Sequence, residues 1–109
     1  MKRDIDSIYL SIANGILGNI KGEWDSAVIY AELFDDAGSF KGECFNNTNK
    51  LFFKVYHDAL DDFEDLKEIM CNDDSNQWNK ARFTLYPSGK FNIEFEWDQA
   101  LEDEVNANS

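Results

Sequence analysis

The chain has 109 residues, enough for one domain around one hydrophobic core and too few for two. Acidic residues outnumber basic ones 22 to 10, and the formal charge of -12 repels phosphates and anionic bilayers, which argues against direct binding to nucleic acid or to a membrane. With 43% hydrophobic and 15% aromatic residues there is enough apolar material to order the whole of residues 1–109 as a single domain.

In chain order, Ile5, Ile8, Tyr9, Ile12 and Ile16 recur at helical spacing, which predicts a first helix from about Asp4 to Leu17 with Asp4 as N-cap and Asp6 in the first turn. Gly18 or Gly22 is expected to end it in the left-handed conformation. From Ser26 to Phe34 the residues favour a strand, and after Asp35-Asp36-Ala37-Gly38 a second run, Ser39 to Phe45, completes a hairpin. The polar cluster Asn46-Asn47-Thr48-Asn49 closes it as a turn.

Between Lys54 and Asn72 the period becomes helical again, with Val55, Ala59, Phe63, Leu66 and Met70 on one face. Leu51, Phe52 and Phe53 either extend this second helix backward or form a short strand. A second hairpin follows, Arg82 to Tyr86 and Lys90 to Trp97, around the turn Pro87-Ser88-Gly89. Its last strand places Phe91, Ile93, Phe95 and Trp97 on one side and Asn92, Glu94, Glu96 and Asp98 on the other. From about residue 99 the tail is expected to begin as a short helix and to fray. The predicted class is α+β: a four-stranded antiparallel sheet from two hairpins, with two helices on one face, in the order α-β-β-α-β-β.

The start Met1-Lys2-Arg3-Asp4 leads into an amphipathic stretch and not the apolar run of a signal peptide, so a cytosolic location is expected. Cys44 and Cys71 lack any paired spacing and suit reduced thiols. Asn46-Asn47-Thr48 matches a glycosylation sequon, which reads as a polar turn in a cytosolic protein. No metal-loop or phosphate-cradle pattern occurs, so no cofactor and no metal are expected. His57 is the only histidine; beside Asp58, it has the setting of a surface residue.

The acidic excess lies wholly from Asp25 onward, because Met1 to Trp24 carries three bases and three acids. On the second helix Asp58, Asp61, Asp65 and Glu68 form one stripe, and from Tyr56 to Asp74 eight acids, including Asp62, Glu64, Asp73 and Asp74, face one base, Lys67. A solvated helix face usually mixes signs for i, i+4 pairing, so a single-sign face tolerates a repulsion of about a few tenths of a kcal/mol per pair. A cationic partner would relieve it. The candidate contact set is Asp58, Asp61, Asp62, Asp65, Glu68, Asp73, Asp74, Glu94 and Glu96, with Tyr30, Phe34, Tyr86 and Trp97 as aromatic anchors.

The segment Gln77 to Asp98, with Trp78 ahead of Phe83-Thr84-Leu85, the turn Gly89-Lys90-Phe91 and the closing pair Trp97-Asp98, resembles the YezG-like immunity proteins. The resemblance implies a bacterial immunity protein that binds a cognate toxin of a polymorphic or contact-dependent growth inhibition system, often a nuclease domain. It also implies that the shared motif is structural: Phe83, Leu85, Phe91, Ile93 and Phe95 as core, Gly89 as the turn, and Trp78 and Trp97 as anchors of the sheet's edges. The expected function is therefore neutralisation of a basic nuclease by an acidic surface, without catalysis and as a monomer. Charge alone also fits an acidic adaptor or nucleic-acid mimic acting on a cellular nucleic-acid-binding protein, and a small hydrolase using His57 with a carboxylate is a third reading.

Overall fold

The computed structural model describes residues 4–20, 22–34, 37–47, 49–71 and 77–107. Eight elements follow one another: α1 (Ile5–Leu17), β1 (Ser26–Leu33), β2 (Gly38–Asn46), β3 (Asn49–Phe53), α2 (Ala59–Met70), β4 (Lys80–Leu85), β5 (Phe91–Glu96) and α3 (Gln99–Ala107). The five strands form one sheet in the order β3-β2-β1-β4-β5, and every neighbouring pair is antiparallel.

The class and both hairpins match the sequence-based expectation, but the count does not: there are five strands and three helices, not four strands and two helices. The added strand is β3. Leu51, Phe52 and Phe53 do not extend α2 backward but turn back along β2, with Glu43 opposite Phe52 and Cys44 opposite Leu51. The reversal is made at Asn47, whose φ of 56° lies in the left-handed region that asparagine tolerates best after glycine. The added helix is α3, which occupies the tail from Gln99.

One face of the sheet carries Ala27, Ile29, Ala31 and Leu33 of β1 beside Ala81, Phe83 and Leu85 of β4, all buried. α1 contributes Ile8, Ile12 and Ile16 to this core, and α2 contributes Ala59, Phe63 and Leu66. Phe83 stacks on Phe91 across the last hairpin at 5.2 Å, and Tyr9 of α1 packs tilted against Phe91 at the same separation. Burial raises the Tyr9 hydroxyl above its ordinary pKa, and the nearby Asp6 adds to the effect.

α1 starts as its sequence implies, with an Asp4 carboxylate oxygen accepting the Ser7 N–H at 2.7 Å. That bond holds the Asp4 carboxyl below the usual carboxylate range. Its end differs from the expectation: Gly18 caps in a right-handed conformation at φ −70°, and Gly22, at φ 82°, lies beyond the helix. Gly15 sits inside α1 because Tyr56 lies against it; a Cβ there would come within 2.4 Å of the Tyr56 ring. At Gly89 the turn is as expected, with φ 91° and the Tyr86 N–H donating to the Lys90 carbonyl at 2.9 Å.

Candidate binding surfaces

The acidic residues separate into three environments. The first is an open depression of about 450 Å³ between α2 and the end of β1. Asp61, Glu64, Asp65 and Glu68 line it with Lys67 and Cys71, and the half-buried Phe34 and the buried Leu33 lie beneath. Helical spacing puts residues 61, 64, 65 and 68 on one side of α2, and Leu33 and Phe34 at the end of β1 line the same depression. Four acidic residues and one lysine thus line a single depression with Phe34, an arrangement suited to a cationic side chain with an aliphatic stem.

Asp58 stands apart from this depression. It flanks the N-terminus of α2, is exposed, and makes no side-chain cap to the helix. Asp73 and Asp74 lie outside the described residues.

The second environment removes Asp62 from the surface set. It is only 2% exposed, and one of its carboxylate oxygens accepts the hydroxyls of Ser11 and Tyr56, each at 2.7 Å. Asp62 lies three residues after Ala59 and four before Leu66, so it faces the same way as the core stripe, toward α1. In sequence Asp62 lies outside the Asp58, Asp61, Asp65 and Glu68 stripe yet counts among the candidate contacts; its spacing to Ala59 and Leu66 is the signal that places it inside.

The third environment is the face of the sheet away from α1 and α2. Here β5 presents Glu94 and Glu96, β4 presents Lys80 and Arg82, β1 presents Tyr30 and Glu32, and β2 presents Lys41 and Glu43. Arg82 is paired with Glu94, and Lys80 lies 3.7 Å from Glu32 and 2.8 Å from Asp98. Glu43 is buried under its cross-strand neighbour Phe52, with Lys50 at 3.1 Å and Lys41 at 3.9 Å. Phe52 itself is 66% exposed, with the two ammonium groups 5.3 and 5.8 Å from its ring centre. Glu94 and Glu96 thus sit on a mixed-charge surface, on the opposite side of the sheet from the α2 depression.

Of the expected aromatic anchors, Tyr30, Tyr86 and Trp97 are exposed and Phe34 is half-buried. Leu51 and Phe52, both well exposed on the edge strand β3, were not among them. Trp78 is buried against Phe95 at a ring separation of 4.8 Å, one strand in from the edge of the sheet. Trp97 is 40% exposed and donates from Nε1 to Gln99 at 3.0 Å. His57 is exposed in the turn before α2. Among the described residues no group of three or more His, Cys, Asp or Glu side chains is placed to hold a metal ion.

A family model described as "Immunity protein YezG-like" matches residues 41–109. Two curated relatives named "Immunity protein YezG" are similar over nearly the whole chain. That of Bacillus spizizenii is 28% identical, covering 91% of this chain and 72% of the relative. That of Bacillus subtilis is 22% identical, covering 94% and 79%. A third, "Type VII secretion system protein EsaG" of Staphylococcus aureus, is 25% identical over 85% of this chain and 68% of its own length.

Proposed function

This chain belongs to the family of YezG-like immunity proteins, and on that premise we propose that it neutralises a nuclease toxin by binding it, with no catalytic step of its own. The single observation that supports the reading is the depression on α2, where Asp61, Glu64, Asp65 and Glu68 converge above Leu33 and Phe34. A nuclease must attract phosphates, so the rim of its cleft is basic, and carboxylates can occupy the positions that phosphates would take.

Electrostatic attraction of this kind raises association rates toward about 10⁸ M⁻¹s⁻¹ at low salt, which lets an inhibitor reach an entering toxin before the toxin reaches its substrate. Apolar contact at the floor supplies the affinity that charge alone does not. In this reading the inhibitor acts in the cytosol, where nucleic acid is exposed to the toxin; delivery of the toxin by secretion is in keeping with a relative named as a type VII secretion system protein.

The test is co-expression with the toxin domain encoded beside this gene. Restored growth together with a purified one-to-one complex is the expected result. Failure of the two chains to co-purify overturns the reading.

A further inference from the structure

β2 is longer than the edge strand beside it. It runs from Gly38 to Asn46, but β3 pairs only with Gly42 to Asn46, because the chain leaves the sheet after Phe53 on its way to α2. Gly38 to Lys41 are therefore paired with β1 on one side and, among the described residues, with no strand on the other. The Phe34 N–H donates to the Ala37 carbonyl at 2.9 Å, and the Leu33 N–H to the Asn79 carbonyl at 2.8 Å. Even-numbered residues of β1 thus exchange hydrogen bonds with odd-numbered residues of β2, and odd-numbered ones with β4. Gly38 and Phe40 consequently turn their N–H and carbonyl groups toward the open edge. Among the described residues neither makes a backbone hydrogen bond outside the sheet. Such an edge is a template for an added strand.

An open groove of about 570 Å³ lies along this edge, between β2 and the start of α2. Phe40 turns toward the helices, where its ring lies 5.7 Å from that of Phe63, and Leu60 joins it in the lining. Lys41 turns the other way, and the exposed Lys54 and His57 add further basic groups. Among the described residues no Asp or Glu lines the groove, in a chain whose acids outnumber its bases 22 to 10. Lys41 lies 3.9 Å from Glu43, but that carboxylate is closer to Lys50, at 3.1 Å. Asp58, next to His57 in the chain, is outside the lining, and among the described residues Lys54 and His57 form no ion pair.

The length of β2 that β3 leaves uncovered accepts an extended segment of about four residues, roughly 13 Å long. Side chains of such a segment alternate between the faces, so apolar ones meet Phe40 and Leu60 while the intervening ones meet Lys41. We propose that this notch docks an extended acidic segment of a partner protein, which adds to Gly38 and Phe40 as a short strand antiparallel to β2 and sets its carboxylates against Lys41 and the rest of the basic lining. The groove shares no lining residue with the α2 depression, so one chain offers two sites of opposite sign.

The probe is the peptide acetyl-Glu-Val-Glu-Val-Glu-Val-amide, titrated into the isotope-labelled intact protein near physiological ionic strength, where the Debye length is about 8 Å and repulsion by the net charge is short-ranged. The Gly38 and Phe40 amide signals are expected to shift, and their exchange with solvent to slow about tenfold or more. K54E and, separately, K41Q/K54Q, each checked for folding by circular dichroism, are expected to weaken binding about fivefold. Methylating the valine nitrogens, which face β2 when valine lies opposite Phe40, keeps the peptide's charge and is expected to abolish binding. Gly38 and Phe40 amides that do not move at millimolar peptide overturn the proposal, and so does equal binding by the folded lysine variants or by the methylated peptide.

Discussion

Asn79 and Asp98 exchange two hydrogen bonds: Asn79 Nδ2 donates to the Asp98 carbonyl at 2.9 Å, and the Asp98 N–H donates to Asn79 Oδ1 at 2.8 Å. Asn79 is fully buried, next to the buried Trp78, and its own backbone bridges Leu33 and Glu96 at 2.8 and 3.1 Å. Asp98 also accepts the Leu101 N–H at 3.1 Å and so caps α3. The clasp ties the start of β4 to the start of α3. It gives a physical reason for the Trp78-Asn79 and Trp97-Asp98 pairs of the motif: they close the last third of the fold.

Replacing Asn79 by Ala removes both bonds: the Asp98 carbonyl keeps the Glu102 N–H at 3.3 Å, but the half-buried Asp98 N–H loses its acceptor, at a cost of about 1–3 kcal/mol. Urea unfolding of Asn79→Ala is expected to show a loss in that range or above it. Amide exchange should rise first in α3, because its anchor to β4 is gone.

The same clasp gives a pH dependence. The Lys80 ammonium, followed by the Leu101 N–H, holds the Asp98 carboxyl below its ordinary value, and Asp98 in turn raises Lys80. The lowered Asp98 contributes stability that is present above the unfolded carboxylate value of about 3.9 and lost as pH falls through its folded value. Lys80 contributes stability that is present below about 10.4 and lost as pH rises through its raised folded value. The stability difference between wild type and Asp98→Asn should therefore be constant near neutrality and shrink below about pH 4. A difference that persists unchanged to pH 2 contradicts the assignment.

Much of this was legible in the sequence, for reasons visible in particular residues. α1 and the last hairpin were clear because Ile8, Ile12 and Ile16, and then Phe91, Ile93 and Phe95, follow their periods without interruption. β3 was ambiguous because Leu51, Phe52 and Phe53 are apolar in succession; an edge strand exposed on both sides needs no alternation, and three apolar residues beside a helical pattern read equally as its first turn. The apolar floor of the α2 depression was not legible at all. It depends on which strand lies under the helix, and that is set by the sheet order, which places β1 in the middle.

Asp62 should behave unlike the acids around it. Removing its carboxylate leaves the Ser11 and Tyr56 hydroxyls without that acceptor between α1 and α2, and charge-assisted bonds of this kind are worth about 1.5–3 kcal/mol. Asp62→Ala is expected to lower stability by about that amount in thermal or urea unfolding while leaving the toxin association rate unchanged.

At Gly15 the usual helix rule reverses. Glycine to alanine inside a helix normally adds about 1 kcal/mol of stability, but here the new methyl group would overlap the Tyr56 ring. Overpacking of this kind costs about 1–3 kcal/mol. Gly15→Ala should therefore come out neutral to destabilising by unfolding titration, and a clear gain in stability would show that Tyr56 moves aside freely.

The central claim, that the carboxylates of the α2 depression steer a basic toxin, is tested most directly by stopped-flow association across ionic strength for the wild type and for the charge reversal of Asp61, Asp65 and Glu68 together. The wild-type rate is expected to fall steeply with salt, and the triple variant to associate about tenfold or more slowly at low salt with a flattened salt dependence. Equal rates and equal salt slopes for the two proteins would contradict the account and leave that face of α2 as solvated surface.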